Sequence, residues 1–213
     1  MFARNLLLAA GMLGLLAVAA QAAPIFVDLQ GSGAETEPGY TAVLTTNGFN
    51  NNSAVTLATG EQIGWQNTYQ GGAFNRTNVS QYPTANAMHK DGVYFSPGIV
   101  KTLQIKSLAP GLYDLTLFGI DPQYKDKKTQ FDIDQDDNGL ADQTVVIEWK
   151  DLGEVSKTVQ VNVSSGGVLS ITAQKYGNGA QGAFNGFHLV AVPEPATMLI
   201  LLAGMGLAAV RRR

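Results

Sequence analysis

The sequence contains no cysteine at all. That excludes disulfides, thiol nucleophiles and Cys-ligated zinc in one stroke. Histidine is almost as scarce, with only His89 and His188. A Ser-His-Asp triad or a multi-histidine metal centre has little to draw on, and the two histidines are far apart in sequence. No Gly-x-Ser-x-Gly, His-Glu-x-x-His or phosphate-binding glycine loop is present. Basic charge is also short. Between Pro24 and Pro193 ten Lys and Arg face sixteen Asp and Glu, a balance of about −6. This acidity argues against nucleic acid as a partner and suits cations or uncharged ligands. Between the two apolar ends no window sustains a 3.6-residue period, which argues against an α-helical domain.

The two ends are the apolar parts. Arg4 precedes an uncharged run from Leu6 to Ala20, and Ala20-Gln21-Ala22 supplies small residues two apart. This reads as a cleaved signal peptide over residues 1–22, too short and too well furnished with a cleavage site for a membrane-anchoring helix. At the other end Ala196–Val210 is a second uncharged run. As a helix its 15 residues would span about 22 Å against a hydrocarbon core of about 30 Å. Arg211, Arg212 and Arg213 follow directly. Their long stems can extend the effective span, and their charge would hold the C-terminus on the cytoplasmic side. Pro193 and Pro195 forbid regular structure just before it, leaving an extended element at the membrane surface for a protease to read.

Pro193-Glu194-Pro195, the short apolar span and the arginine cluster, in that order, resemble the PEP-CTERM sorting signal of Gram-negative bacteria. The resemblance covers the last 21 residues or so. It implies recognition by exosortase, an integral-membrane protease. It further implies a transient inner-membrane anchor at about 196–210 and a final place at the cell surface or in the extracellular matrix. It says where the protein goes and leaves the role of the domain at 23–192 to be read separately.

That domain reads as all-β. Val155, Val159, Val161 and Val163 share one face of a period-two segment whose other face is polar, and Leu112–Ile120 and Thr144–Lys150 alternate likewise. Asp151–Glu154 reads as a hairpin turn joining Thr144–Lys150 to Val155–Val163. Further strands are expected at Ile25–Leu29, Thr41–Thr45, Val55–Ala58, Val93–Ser96, Val100–Ile105, Gln130–Ile133, Val168–Ala173 and Phe187–Ala191. Some ten short strands separated by Gly, Asn and Pro make a β-sandwich. Asn47–Ser53 and Tyr69–Ala87 read as long surface loops. Gly-Ala-Phe-Asn occurs at 72–75 and again at 182–185, too short to establish a repeat. The order of elements, with Leu108-Ala-Pro-Gly-Leu-Tyr-Asp-Leu entering a central strand and Asn185-Gly-Phe-His-Leu189 forming the last, resembles galactose-binding-like jelly rolls. That resemblance implies a fold shared by many carbohydrate-binding modules and carries over no sugar-contacting residue.

Two local features suggest ligands. From Asp134 the sequence Asp134-x-Asp136-x-Asn138-Gly139-Leu140-x-Asp142 places oxygen ligands at positions 1, 3, 5, 7 (the Leu140 carbonyl) and 9, with glycine at 6. This is the spacing of a calcium loop, but position 12 is Val145 where an EF-hand has Glu. Asp132 or Glu148 would have to help complete the shell. The competing reading is a hairpin tip turned at Asn138-Gly139 with solvated aspartates. Trp65 and Tyr69, beside loop-like sequence, are candidate platforms for stacking on sugars, and an exopolysaccharide is the partner they would suit. His188 alternates with core residues on the last strand and reads as outward-facing and structural. Two classes of function follow: a non-enzymatic exported surface or matrix protein, or a carbohydrate-binding module sorted in the same way. A secreted glycan-active enzyme would need a carboxylate pair that sequence cannot reveal.

Overall fold

The computed structural model describes residues 22–67, 72–76, 87–124, 126–148 and 155–193. Residues 1–21 and 194–213 lie outside it, and with them most of the expected signal peptide, Glu194, Pro195 and the expected span. Among the described residues no helix is long and apolar enough to cross a membrane.

The strands are β1 (Ile25–Gln30), β2 (Thr41–Leu44), β3 (Val55–Thr56), β4 (Gln62–Trp65), β5 (Gly72–Asn75), β6 (Asp91–Phe95), β7 (Val100–Lys106), β8 (Gly111–Phe118), β9 (Lys128–Asp134), β10 (Gln143–Glu148), β11 (Ser156–Val163), β12 (Leu169–Lys175), β13 (Gly182–Phe184) and β14 (Gly186–Ala191). One short helix, α1 (Ala87–Lys90), precedes β6, and a 3-10 turn covers Phe49–Asn51. Three sheets result: five strands in the order β11-β8-β14-β1-β2, six in the order β10-β9-β12-β7-β4-β3, and three in the order β13-β6-β5. All pairings within them are antiparallel except that of β1 with β2.

The alternation explains the layering. Val27, Leu29, Leu115, Leu117, Phe187 and Leu189 from the five-stranded sheet meet Ile63, Leu103, Ile105, Phe131, Ile133 and Ile171 from the six-stranded sheet in one apolar core. Period-two sequences put these residues on one face and their polar neighbours on the other, so two sheets close over them as a β-sandwich of the jelly-roll kind. The three-stranded sheet adds Val93, Phe95 and Phe184, and Phe184 meets Phe131 edge-on at 4.8 Å between ring centroids. Gly186 starts the last strand at a point of close backbone approach: a Cβ there would lie 2.1 Å from the Val27 carbonyl oxygen.

Two expectations are corrected. Val145 and Ile147 do alternate into the core, but β10 pairs with β9 at the edge of one sheet, whereas β11 pairs with β8 at the edge of the other. β10 and β11 are therefore not paired as a hairpin; residues 149–154, Trp149 included, lie outside the described residues. The segment expected to be a loop from Tyr69 contains a strand, β5. The two Gly-Ala-Phe-Asn copies also have a structural meaning. They form β5 and β13, one on each side of β6, with Ala73 opposite Val93 and Ala183 opposite Tyr94.

Candidate functional site

The outer face of the six-stranded sheet is polar by the same alternation that makes its inner face apolar. Neighbouring strands line their outward residues up in rungs: Thr102 on β7, Thr172 on β12 and Asp132 on β9 in one, Gln104, Ser170 and Asp134 in the next. The rungs are hydrogen-bonded sideways. The Thr102 and Thr172 hydroxyls lie 2.8 Å apart, and Gln104 Nε2 donates to Ser170 Oγ at 3.1 Å. Asp132 accepts from Thr144 Oγ1 at 2.7 Å, Gln130 Nε2 at 2.9 Å and Gln174 Nε2 at 3.1 Å.

Over one end of these rungs stands the loop between β9 and β10. Its first aspartate organises it. Asp134, nearly buried, accepts the Gly139 N–H at 2.8 Å and the Asp136 and Asn138 N–H groups at 3.3 Å each. Asn138 Oδ1 accepts the Leu140 N–H, and Asp142 accepts the Gln135 N–H. Gly139 has φ +83°, which a residue with a Cβ rarely adopts, so the sharp bend calls for glycine. Asp137 fastens the loop to the sheet, its Oδ1 receiving Gln104 Nε2 and Ser170 Oγ at 3.3 Å. Loop and sheet together enclose a cleft of about 310 Å³ lined by Gln66, Thr102, Asp132, Asp137, Ser170 and Thr172, with Leu140 at its lip. Among the described residues the floor offers hydroxyl, amide and carboxylate groups.

The loop brings together three of the five ligands expected from its sequence. Carboxylate oxygens of Asp134, Asp136 and Asp142 all lie within 4.8 Å of one another. An ion equidistant from three oxygens at that limit would sit about 2.8 Å from each, so a closure of a few tenths of an ångström brings them into calcium's range of about 2.3–2.6 Å. The two helpers are placed elsewhere. Glu148 pairs with Lys128 at 3.4 Å, at the far end of the β9–β10 ladder, and Asp132 is held by its three donors.

Trp65 is a correction. It is 0% exposed, sits in the core on β4 and donates its indole N–H to the Leu44 carbonyl at 3.2 Å. No face of the ring is open to a sugar, because the alternation of Ile63 and Trp65 turns both inward. Tyr69 lies outside the described residues. His188 is half-buried rather than fully outward. It packs on Phe26 and Phe118 with centroids at 4.9 and 4.7 Å and shares a hydrogen bond with the Tyr40 hydroxyl. Burial pushes the imidazole of His188 below its ordinary range. It takes that of His89 down to about 4, with the neighbouring His188 adding to the effect. Sequence reasoning missed the cleft itself, whose floor comes from three strands, β7, β9 and β12, far apart in the chain. Only the outward positions of each strand were legible beforehand.

Pro193 follows the last strand after one residue, Val192. A family profile described as the PEP-CTERM protein-sorting motif matches residues 191–213. The chain carries a PEP-CTERM sorting motif. The motif implies an exported protein that passes the membrane and is recognised by exosortase. No curated protein matches the sequence. Among solved structures the chain is similar to protein YxiM from Bacillus subtilis, at 15% identity and a TM-score of 0.49, over 80% of this chain and 40% of that one. It is also similar to TmCBM61 in complex with β-1,4-galactotriose, at 16% identity and a TM-score of 0.36, over 62% and 88%. A third is the CBM36-1 domain of a multidomain xylanase from the hindgut metagenome of Trinervitermes trinervoides, at 18% identity and a TM-score of 0.39, over 63% and 99%.

Proposed function

We propose that this is a non-enzymatic surface or extracellular-matrix protein of a Gram-negative bacterium. It is held in the inner membrane by its C-terminal span until exosortase acts at Pro193-Glu194-Pro195. The sorting motif at 191–213 is the observation that carries this reading. In cells containing exosortase, Pro195→Ala leaves the full-length chain in the inner membrane while the wild type is shortened and released from it. A variant processed and released like the wild type contradicts the reading. Its non-enzymatic character is supported by the use of the cleft carboxylates: Asp132 is saturated with donors and Asp137 anchors a loop.

The cleft on the six-stranded sheet favours a second, more specific reading, that the sandwich holds a polysaccharide. Its rungs of Thr, Ser and Gln match the hydroxyl pattern of a sugar, and its carboxylates favour uncharged over anionic chains. Calcium belongs to the same reading as a structural ion. Bound by Asp134, Asp136 and Asp142, with Asn138 and the Leu140 carbonyl at the remaining loop positions, it would relieve the repulsion among the carboxylates and stiffen the cleft wall. Without the glutamate of an EF-hand the affinity falls in the range of extracellular modules, about 10⁻⁴ to 10⁻³ M.

A further inference from the structure

An acidic pair with no part in the cleft lies where β1 of the five-stranded sheet packs against β6 of the three-stranded sheet. Asp28 on β1 and Asp91, the first residue of β6, are 0% and 1% exposed. Their side chains are within hydrogen-bond reach of each other. Asp28 uses Oδ2 to accept the Glu37 N–H at 2.8 Å, but Oδ1 of each aspartate is buried with no N–H or hydroxyl donor among the described residues. Glu35, Glu37 and Tyr40 face the pair from the segment between β1 and β2, and His89 and Lys90 stand on α1 just before Asp91. His188 lies on β14 beside β1, and among the described residues neither aspartate forms an ion pair with Lys or Arg.

Two ionised carboxylates in contact and out of water are among the costliest arrangements a fold can hold. One proton between them removes one charge and supplies the O–H donor that the two orphan oxygens lack. We propose that Asp28 and Asp91 hold one proton in common, so that the domain takes up a proton when it folds at neutral pH and this carboxyl–carboxylate bond acts as a latch. The latch joins several elements. Asp28 holds the segment after β1 through Glu37, whose Oε2 in turn accepts the Met88 N–H of α1 at 3.4 Å. The Asp91 carbonyl accepts Asn185 Nδ2 at 2.6 Å, just ahead of β14. Burial, and after it the charge of Asp28, pushes the Asp91 carboxyl up to about 9, and burial raises Asp28 as well.

The sign follows. A carboxyl raised above its unfolded value contributes stability that is complete below that value and is lost as pH climbs through the folded one. Between about pH 7.5 and pH 9, a unit or more above their ordinary value of 6.5, both histidines are largely neutral in both states. The full chain in detergent is melted across this window. The expected result is a folding equilibrium constant that falls by up to about tenfold per pH unit, the slope of one proton. Asp91→Asn, which keeps a donor toward Asp28, flattens that slope and removes a protonated-carboxyl stretch from the infrared spectrum at pH 7. Asp28→Asn does the same if the first variant folds poorly. Stability that is flat or rises with pH, or no protonated-carboxyl band in the wild type, overturns the proposal. So does stabilisation by calcium that survives Asp134→Ala with Asp136→Ala but vanishes in Asp91→Asn, since the pair would then be ionised around a cation.

Discussion

The two outer faces of the sandwich use the same residue in opposite ways. On the six-stranded sheet Asp132 and Asp137 stand at an open cleft, charged, and satisfied by side-chain donors from neighbouring strands. On the five-stranded sheet Asp28 lies beneath the segment after β1 and meets a second acid instead of a donor. Exposure is the difference, and it decides the chemistry: water supports charge on the open face, whereas on the covered face charge must be cancelled. The open face is therefore free to exchange its partners with a ligand, and the covered face is committed to holding the fold.

The comparison can be broken most sharply at Asn185. Fully buried, it accepts the Ile120 N–H at 2.7 Å and donates to the Asp91 carbonyl, so it ties two connections to the covered face. Asn185→Ala strands a buried donor and a buried acceptor and should cost about 3 kcal/mol, read as a lower denaturant midpoint with an unchanged slope. Acid is the next probe. His89 is kept neutral to about pH 4 in the folded protein, so its contribution is present above its ordinary value of 6.5 and is lost as pH falls toward 4. The shared proton of the aspartate pair gives the opposite slope over the same range, so the His89 contribution is read as a difference: the stability of the wild type relative to His89→Gln should fall as pH drops from 7 to 4. On the open face calcium is the corresponding probe. At about 10 mM, with a dissociation constant of about 1 mM, it should add about 1.4 kcal/mol, seen as a higher melting temperature that chelator reverses. Asp134→Ala with Asp136→Ala should leave a melting temperature indifferent to both. Smallest is Thr172→Ala. Among the described residues its hydroxyl is partnered by Thr102 on a wet surface, so the loss should stay under about 1 kcal/mol in a thermal melt.

Sequence legibility followed the range of each interaction. The acidic loop was readable because Asp134, Gly139 and Asp142 act within nine residues, and the fold brings the carboxylates of Asp134, Asp136 and Asp142 within 4.8 Å of one another. Strand faces were readable for β7, β8, β9, β11 and β12 because alternation reports burial directly. Partners were not. Val145 and Val159 alternate equally well, and nothing in either segment says that they belong to opposite sheets. β4, β5 and β13 are three or four residues long and contain glycine, too little pattern to separate them from loops. Trp65 misled because its neighbours 66–72 look loop-like while its own strand turns it into the core. Asp28 and Asp91, 63 positions apart, meet only once the sheets are built.

The assignment of the open face as the ligand face is tested most directly by titrating neutral and acidic polysaccharides against the full chain and against Ser170→Ala with Thr172→Ala, with folding checked by melting temperature. The account predicts that the wild type binds an uncharged polysaccharide in preference to an anionic one, and that the double variant loses this binding while remaining folded. Unchanged binding in a folded double variant, or preference for the anionic chain, would contradict it.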